Sequence, residues 1–315
     1  MQIFNVKKNI TSSDYFFSHI RRFCQPIYDL RSYRKAYKNY PKVIHSKRIN
    51  KYPIEAILQS GKIISIKNIS QLRIVTSALE NDCDIQNDLI VIKKKGFPEV
   101  KLYDGIENGD IRASFFEEQY RWLPVEEKEV IDIGTNIADS AIYFALRGAK
   151  KVIAIEPAPK NFQSAKKNIE LNGLSNKIQL LMVGCSDKVG SVSIDTEKSG
   201  VSYSLENDEK QEIAIPLTTL NDILKMIKTF PCILKMDCEG CEYDSILASS
   251  KETLRNFSHI QLEYHFGYKN LKTKLEDSGF DVIVTRPRIG LPLSQEEKKS
   301  FFGYIFAKRK SKFEN

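Results

Sequence analysis

No run of about eighteen apolar residues occurs in the 315-residue chain, so a membrane-spanning helix is not expected. The first ten residues, M-Q-I-F-N-V-K-K-N-I, lack the long apolar stretch of a secretory leader, and the expected location is the cytoplasm. The six cysteines (Cys24, Cys83, Cys185, Cys232, Cys238 and Cys241) form no repeated framework. Cys238 and Cys241 make one C-x-x-C, but neither a second pair nor a neighbouring histidine completes a zinc set. No metal site is therefore expected, and the cysteines are expected to be ordinary buried thiols. The chain also lacks a G-x-G-x-x-G turn, which speaks against a nicotinamide dinucleotide. It lacks the N-P-P-Y type of motif that amino-methylating enzymes use to hold a flipped base.

Acidic residues are scarce at one end. Residues 1–80 carry 15 Lys/Arg against 4 Asp/Glu, an excess of 11, so the net +8 leaves the remainder at −3. The basic balance thus belongs to the first segment, residues 1–85, which is expected to be largely helical and separate from a domain over 86–315. Tyr15, Phe16, His19, Ile20, Phe23 and Ile27 follow helical spacing. Arg21, Arg22, Arg31, Arg34, Lys35 and Lys38 are interleaved with Tyr28, Tyr33, Tyr37 and Tyr40. That pattern suits either a solvated face with packed tyrosines or a surface that stacks on bases and pairs with phosphates. Pro53 precedes a segment, Ile54 to Leu58, that reads as a short helix.

The most informative stretch is Val130 to Pro157, V-I-D-I-G-T-N-I-A-D-S-A-I-Y-F-A-L-R-G-A-K-K-V-I-A-I-E-P. An apolar run ends at Gly134, and Asn136 is a candidate N-cap. Ile137, Ala141, Phe144 and Ala145 recur at helical spacing, and Gly148 closes the helix. Lys151 to Ile155 is a second β-branched run ending on Glu156. Strand, helix and strand in that order make a right-handed parallel unit with its ligand at the strand C-terminal ends. Asp132, Gly134 and Asn136 lie at the first strand's end. Glu156, at the second's, is placed to accept hydrogen bonds from both hydroxyls of a ribose. An aspartate ahead of a single glycine suits a cationic ligand with an amino group rather than a pyrophosphate. S-adenosyl-L-methionine has a sulfonium, an amine, a ribose and no phosphate.

The rest of the chain continues the alternation. Asp88 to Lys93 and Val100 to Tyr103 read as a hairpin around Gly96-Phe97-Pro98. Ser114 and Glu117 form a capping box for a short helix. Asn161 to Asn172 is a helix and Ile178 to Val183 a strand. The loop after that third strand, with Gly184 and Asp187, faces an adenine in this architecture. Ser191 to Ile194, Val201 to Leu205 and Glu212 to Pro216 read as an antiparallel elaboration, followed by a helix capped by Thr218 or Thr219. Cys232 to Met236 delivers D-C-E-G-C-E-Y-D at its end, with Asp237 and Glu239 as the candidate catalytic acids and Glu242 as a helix-start residue. His259 to His265 is a fifth strand, ending in a histidine that can exchange a proton near neutral pH. Lys272 to Ser278, Phe280 to Val284 and Gly303 to Ala307 complete a doubly wound α/β sheet, with a basic tail expected to fray.

The segment D-I-G-T-N-I-A-D-S-A-I-Y-F-A-L-R-G-A, then I-E-P, then L-K-M-D-C-E-G-C-E, resembles the FkbM family of S-adenosylmethionine-dependent methyltransferases. The resemblance runs from about Asp88 to Lys308 and leaves the first segment unexplained. It departs from the common pattern at Thr135 and Ala138, which are Ala and Gly in most members. It implies a class I Rossmann-type sheet of seven strands with the last antiparallel, over a core of 129–308. It implies S-adenosyl-L-methionine as cofactor, with Tyr120 against its amino-acid end, and an oxygen acceptor on a sugar, glycan or secondary metabolite. Apart from the resemblance, the basic, tyrosine-bearing first segment suits an anionic glycan or lipid-linked sugar, to whose binding Arg288 and Lys269 would add. The alternatives are an RNA methyltransferase that uses the basic segment, and a non-catalytic binding protein that retains the fold.

Overall fold

A computed structural model describes residues 28–86, 89–108, 111–195, 212–289 and 301–311. The expected helical face from Tyr15 to Ile27, the strand Val201 to Leu205 and the side chain of Arg288 lie outside the described residues. The described chain falls into two compact units, one up to Glu118 and one from Gln119 onward. The hairpin around residues 88–103 therefore belongs with the basic segment.

The first unit mixes helix and sheet. Residues 28–36 are helical, followed by α1 (Tyr40–Arg48), the antiparallel pair β1 (Ile54–Ile57) and β2 (Ile63–Ile66), and α2 (Ile69–Glu80). A meander of β3 (Asp84–Gln86), β4 (Leu89–Ile92) and β5 (Val100–Tyr103) closes it. Ile54 to Ile57 is a strand, not the expected helix, because its burial alternates residue by residue; so short an apolar run carries too little periodicity to separate the two. Asn68 caps α2 by accepting from the Gln71 amide. Ser114 is not a cap: it is buried within one wide turn, Arg112–Phe116, whose closing bond runs from the Glu117 amide to the Arg112 carbonyl. Tyr33 and Tyr37 are buried, the latter's hydroxyl bonded to Thr76 at 2.9 Å, while Arg31, Arg34, Lys35 and Lys38 are exposed. Helical periodicity thus puts Tyr33 and Tyr37 in the core and the basic residues outside, so these two rings cannot stack on bases, while Tyr28 is exposed.

The second unit is the doubly wound sheet. In chain order it contains β6 (Glu129–Ile133), α3 (Asp139–Leu146), β7 (Lys151–Ile155), α4 (Pro159–Leu171), β8 (Ile178–Leu181) and β9 (Gly184–Cys185). The antiparallel pair β10 (Gly190–Asp195) and β11 (Glu212–Thr218) follows, then α5 (Leu220–Leu224), capped by Thr219. The chain continues through β12 (Cys232–Met236), α6 (Cys241–Ala248), α7 (Lys251–Arg255), β13 (Phe257–Tyr264), α8 (Lys269–Asp277), β14 (Phe280–Val284), β15 (Arg288–Ile289) and β16 (Phe301–Arg309). The main sheet has the order β14-β16-β13-β12-β6-β7-β8. Its neighbours pair in parallel except at β16, which is antiparallel to both β13 and β14. Lys308 and Arg309, the start of the tail expected to fray, instead pair with β13 and β14, and residues 312–315 lie outside the described residues.

β6 and β12 are buried along their whole length. From β6 the chain winds outward one way through β7 and β8, then returns to β12 and winds the other way. The crevice between the C-terminal ends of β6 and β12 is therefore the topological switch point, where open α/β sheets bind ligands.

Candidate active site

Four loops leave the strand ends at this crevice: 134–138 after β6, 156–158 after β7, 237–240 after β12 and 265–268 after β13. The first is a left-handed turn, with positive φ at Gly134 (75°), Asn136 (51°) and Ala138 (70°). Its Gly134 and Thr135 amides donate to the Ile155 carbonyl at 3.0 Å each, which ties the end of β6 to that of β7. Asn136 does not cap α3: position 138 does, in left-handed conformation and without a side-chain bond. The Asn136 amide instead donates to Glu156 Oε2 at 2.9 Å.

Gly134 is required here for a reason other than ligand approach. A Cβ on it would stand 1.8 Å from the Asp237 carbonyl oxygen and 3.1 Å from Cys238 Cα. The absent side chain makes room for the end of β12.

Asp132 faces inward and is fully buried. Its Oδ2 accepts from Thr135 Oγ1 at 2.9 Å and from Ser140 Oγ at 2.6 Å, and its Oδ1 lies 3.0 Å from Lys235 Nζ. Lys235 also donates to the Gly134 carbonyl at 2.7 Å and lies 5.6 Å from the centre of the Tyr120 ring. Burial pulls the lysine's pKa down, but Asp132 first and then Asp237 outweigh it, so the pKa ends above the ordinary lysine value. The expected contact of Asp132 with a ligand amine is thus taken by an internal cation. Asp132 positions the turn, and Thr135, the departure from the common pattern, supplies one of its hydrogen bonds. Tyr120 is brought to this group as well, packed edge-on against Phe144 with ring centres 5.6 Å apart.

Glu156 is buried beside the turn. Its Oε1 accepts from the Ala158 amide at 3.0 Å and Asn161 Nδ2 at 3.3 Å. Burial is the dominant influence and lifts its pKa to about 7, against the opposing pull of Ala158, Asn136, Asn161 and Lys235. A native-state pKa above the ordinary carboxylate value means that the folded chain holds a proton the unfolded chain has released. Between about pH 4.5 and 7 this contribution to stability is therefore lost as pH rises, by on the order of 3 kcal/mol in total. Denaturant titrations of wild type and Glu156→Gln across pH 4 to 8 should diverge in that window. A pH-independent difference between the two would contradict the shift.

The loop after β12 carries the acids. Asp237 follows Met236, and its amide donates to the Ile133 carbonyl at 3.0 Å. Glu239 sits in left-handed conformation, φ 58°. Cys238 and Cys241 on either side of it are joined in a disulfide with Cα atoms 5.6 Å apart, so they are not the separate thiols expected. Glu242 does begin α6, but it is also fully buried and accepts from the Cys238 amide at 2.7 Å and the Gly240 amide at 2.8 Å. Burial raises its pKa. His265, at the end of β13, places Nε2 3.1 Å from Glu239 Oε2. Burial pulls its pKa down, and Glu239, Glu242 and Asp237 together lift it to about 9. At neutral pH this imidazole already holds a proton, so it pairs with Glu239 rather than receiving a proton as expected.

Gly184 lies beside the 156–158 loop, where a Cβ on it would stand 4.0 Å from Pro157 Cβ, whereas Asp187 contacts none of the groups above. Gly184 is buried in β9, paired with Leu217, whose side chain would meet a Cβ at 2.7 Å. Asp187 is exposed and accepts from Ser186 Oγ at 3.0 Å. Lys235 was missed as a site residue. Its signal was a charged residue in the middle of the apolar run C-I-L-K-M.

A seven-stranded sheet with one reversed strand, and its acids gathered at the switch point, define a class I methyltransferase fold. Residues 132–282 match the family model described as the Methyltransferase FkbM domain. Over those residues the chain is similar to methyltransferase domains of the FkbM family. It is similar to "Methyltransferase 1" of Beauveria bassiana (strain ARSEF 2860), 23% identical over 189 residues that cover 51% of this chain and 76% of that protein. Among solved structures it is similar to methyltransferase FkbM from Methylobacillus flagellatus KT, with a TM-score of 0.41 and 13% identity, over 76% of this chain and 55% of that one. It is also similar to the METTL16 MTase domain, with a TM-score of 0.43 and 16% identity, over 84% and 91% of the two chains. No helix among the described residues is long and apolar enough to cross a membrane.

Proposed function

We propose that this methyltransferase uses S-adenosyl-L-methionine to methylate a hydroxyl oxygen of a sugar, glycan or secondary metabolite. The observation that carries this reading is the pairing, across one switch point, of a buried acid at the end of β7 with an acid-rich cluster at the ends of β12 and β13. The first half fits the cofactor. Glu156 is buried, which raises its pKa, and further hydrogen bonds from ribose hydroxyls would favour its charged form as those from Asn136, Ala158 and Asn161 already do. Gly134, Asn136 and Glu156 would hold the nucleoside, with Tyr120 and the Asp132–Lys235 pair as the wall behind the turn. The cofactor supplies an electrophilic methyl group on a sulfonium.

The second half fits an acceptor hydroxyl. Asp237 and Glu239 are half-buried, so they face both the crevice and water. Either carboxylate can accept the hydroxyl's hydrogen bond and orient its lone pair. His265 fixes Glu239 by ion pairing. The reading carries a cytoplasmic setting. There the Cys238–Cys241 bond would be transient, since disulfides in reducing compartments seldom persist.

Incubation with radiolabelled methyl donor and parallel panels of glycans, hydroxylated metabolites and RNA tests this. Label on a glycan or metabolite, resistant to 0.2 M salt, is the expected result. Label on RNA alone, falling steeply with salt, would replace it with the nucleic-acid reading.

A further inference from the structure

We propose that Asp237, Glu239 and His265 bind a divalent cation at the acceptor side of the crevice. One ligand-type atom from each residue lies within 4.8 Å of the others, and the His265 Nε2 to Glu239 Oε2 distance is 3.1 Å. Neighbouring ligands at roughly 2.1 Å from a common ion stand about 3 Å apart, and opposite ones about 4 Å. The cluster needs only a small closure to reach that geometry.

The surroundings favour a cation independently of the spacing. Asp237, Glu239 and the buried Glu242 face a single imidazole. Lys235, which feels the charge of Asp237, is already engaged by Asp132 and the Gly134 carbonyl. His265 is 8% exposed, and its Nδ1 is buried with no hydrogen-bond partner. An ion binding at Nε2 would release to solvent the proton that the imidazole shares with Glu239 and would replace its charge. The support is also rigid. Glu239 is held in a left-handed conformation, and Glu242 pins the amides of Cys238 and Gly240. Two carboxylates and one imidazole suit Mn²⁺ or a similar ion, with positions left for an incoming oxygen. Such an ion would orient and acidify the acceptor hydroxyl. That role rests on the methyl-transfer reading; the binding site does not.

Titration of the purified protein with Mn²⁺, followed by electron paramagnetic resonance, tests the site without turnover. One saturable ion per chain is expected, weakened at least tenfold in Asp237→Asn and in Glu239→Gln. Both variants should keep the wild-type melting temperature within a few degrees and bind S-adenosylhomocysteine within about twofold of wild type. No saturable binding to the wild type at millimolar Mn²⁺ would overturn the proposal, and so would undiminished affinity in both folded variants. Manganese binding that persists in a protein that does not bind S-adenosylhomocysteine would support the cation site while removing the methyltransferase reading.

Discussion

Lys235→Met should lower stability by about 3–5 kcal/mol, which is the cost of removing one partner from a buried ion pair. The lysine and Asp132 are both essentially inaccessible, 3.0 Å apart. Methionine keeps most of the stem's volume, so the loss isolates the charge. Without Nζ, the Asp132 carboxylate keeps its bonds from Thr135 and Ser140 but loses its counter-charge, and the Gly134 carbonyl loses a donor. For a unit of this size the melting temperature should fall by about 8–16 °C. The double variant Asp132→Asn/Lys235→Met should recover more than half of that loss, because a neutral amide needs no counter-charge. A single-variant loss under about 1 kcal/mol would show that the pair is not the internal brace described above.

Gly134→Ala carries the other large effect. The left-handed φ of 75° alone costs a side-chain-bearing residue about 1–2 kcal/mol. The larger obstacle is backbone: the new Cβ would stand 1.8 Å from the Asp237 carbonyl oxygen. Relief requires the ends of β6 and β12 to part, which breaks the bond from the Asp237 amide to the Ile133 carbonyl and moves the acid loop. A total above about 4 kcal/mol is expected, seen as insoluble protein or a melting temperature lowered by more than 8 °C. Ala138→Gly is the control in the same turn. Position 138 is also left-handed, with φ of 70°, so glycine there should raise stability by up to about 1 kcal/mol. An alanine tolerated at 134, or a glycine that destabilises at 138, would contradict the turn geometry.

The sheet and the approximate site were legible because their signals are local. Glycine punctuation, β-branched runs and helical spacing marked β6, α3 and β7. Topology then placed Glu156, Asp237, Glu239 and His265 at the strand ends. The role of Asp132 was not legible. The cation that occupies it comes from β12, whose Lys235 lies 101 residues beyond the Gly134 carbonyl it also binds. A carboxylate at a strand end reads the same whether it faces a ligand or a lysine. The Cys238–Cys241 bond was equally hidden, since a three-residue separation allows thiols, metal ligation or a disulfide until the Cα atoms are placed. Tyr33 and Tyr37 were ambiguous because composition alone does not say which face of a helix meets the core.

The most direct test of the central claim is calorimetric titration with S-adenosylhomocysteine of wild type and Glu156→Ala, beside NAD as a control. Micromolar binding to the wild type is predicted, weakened at least a hundredfold in the variant, with no heat from NAD; a loss of that size is about 2.7 kcal/mol, within reach of a charged hydrogen-bonding partner. A wild type that binds no S-adenosylhomocysteine, or a Glu156→Ala protein that binds it equally well, would contradict the account.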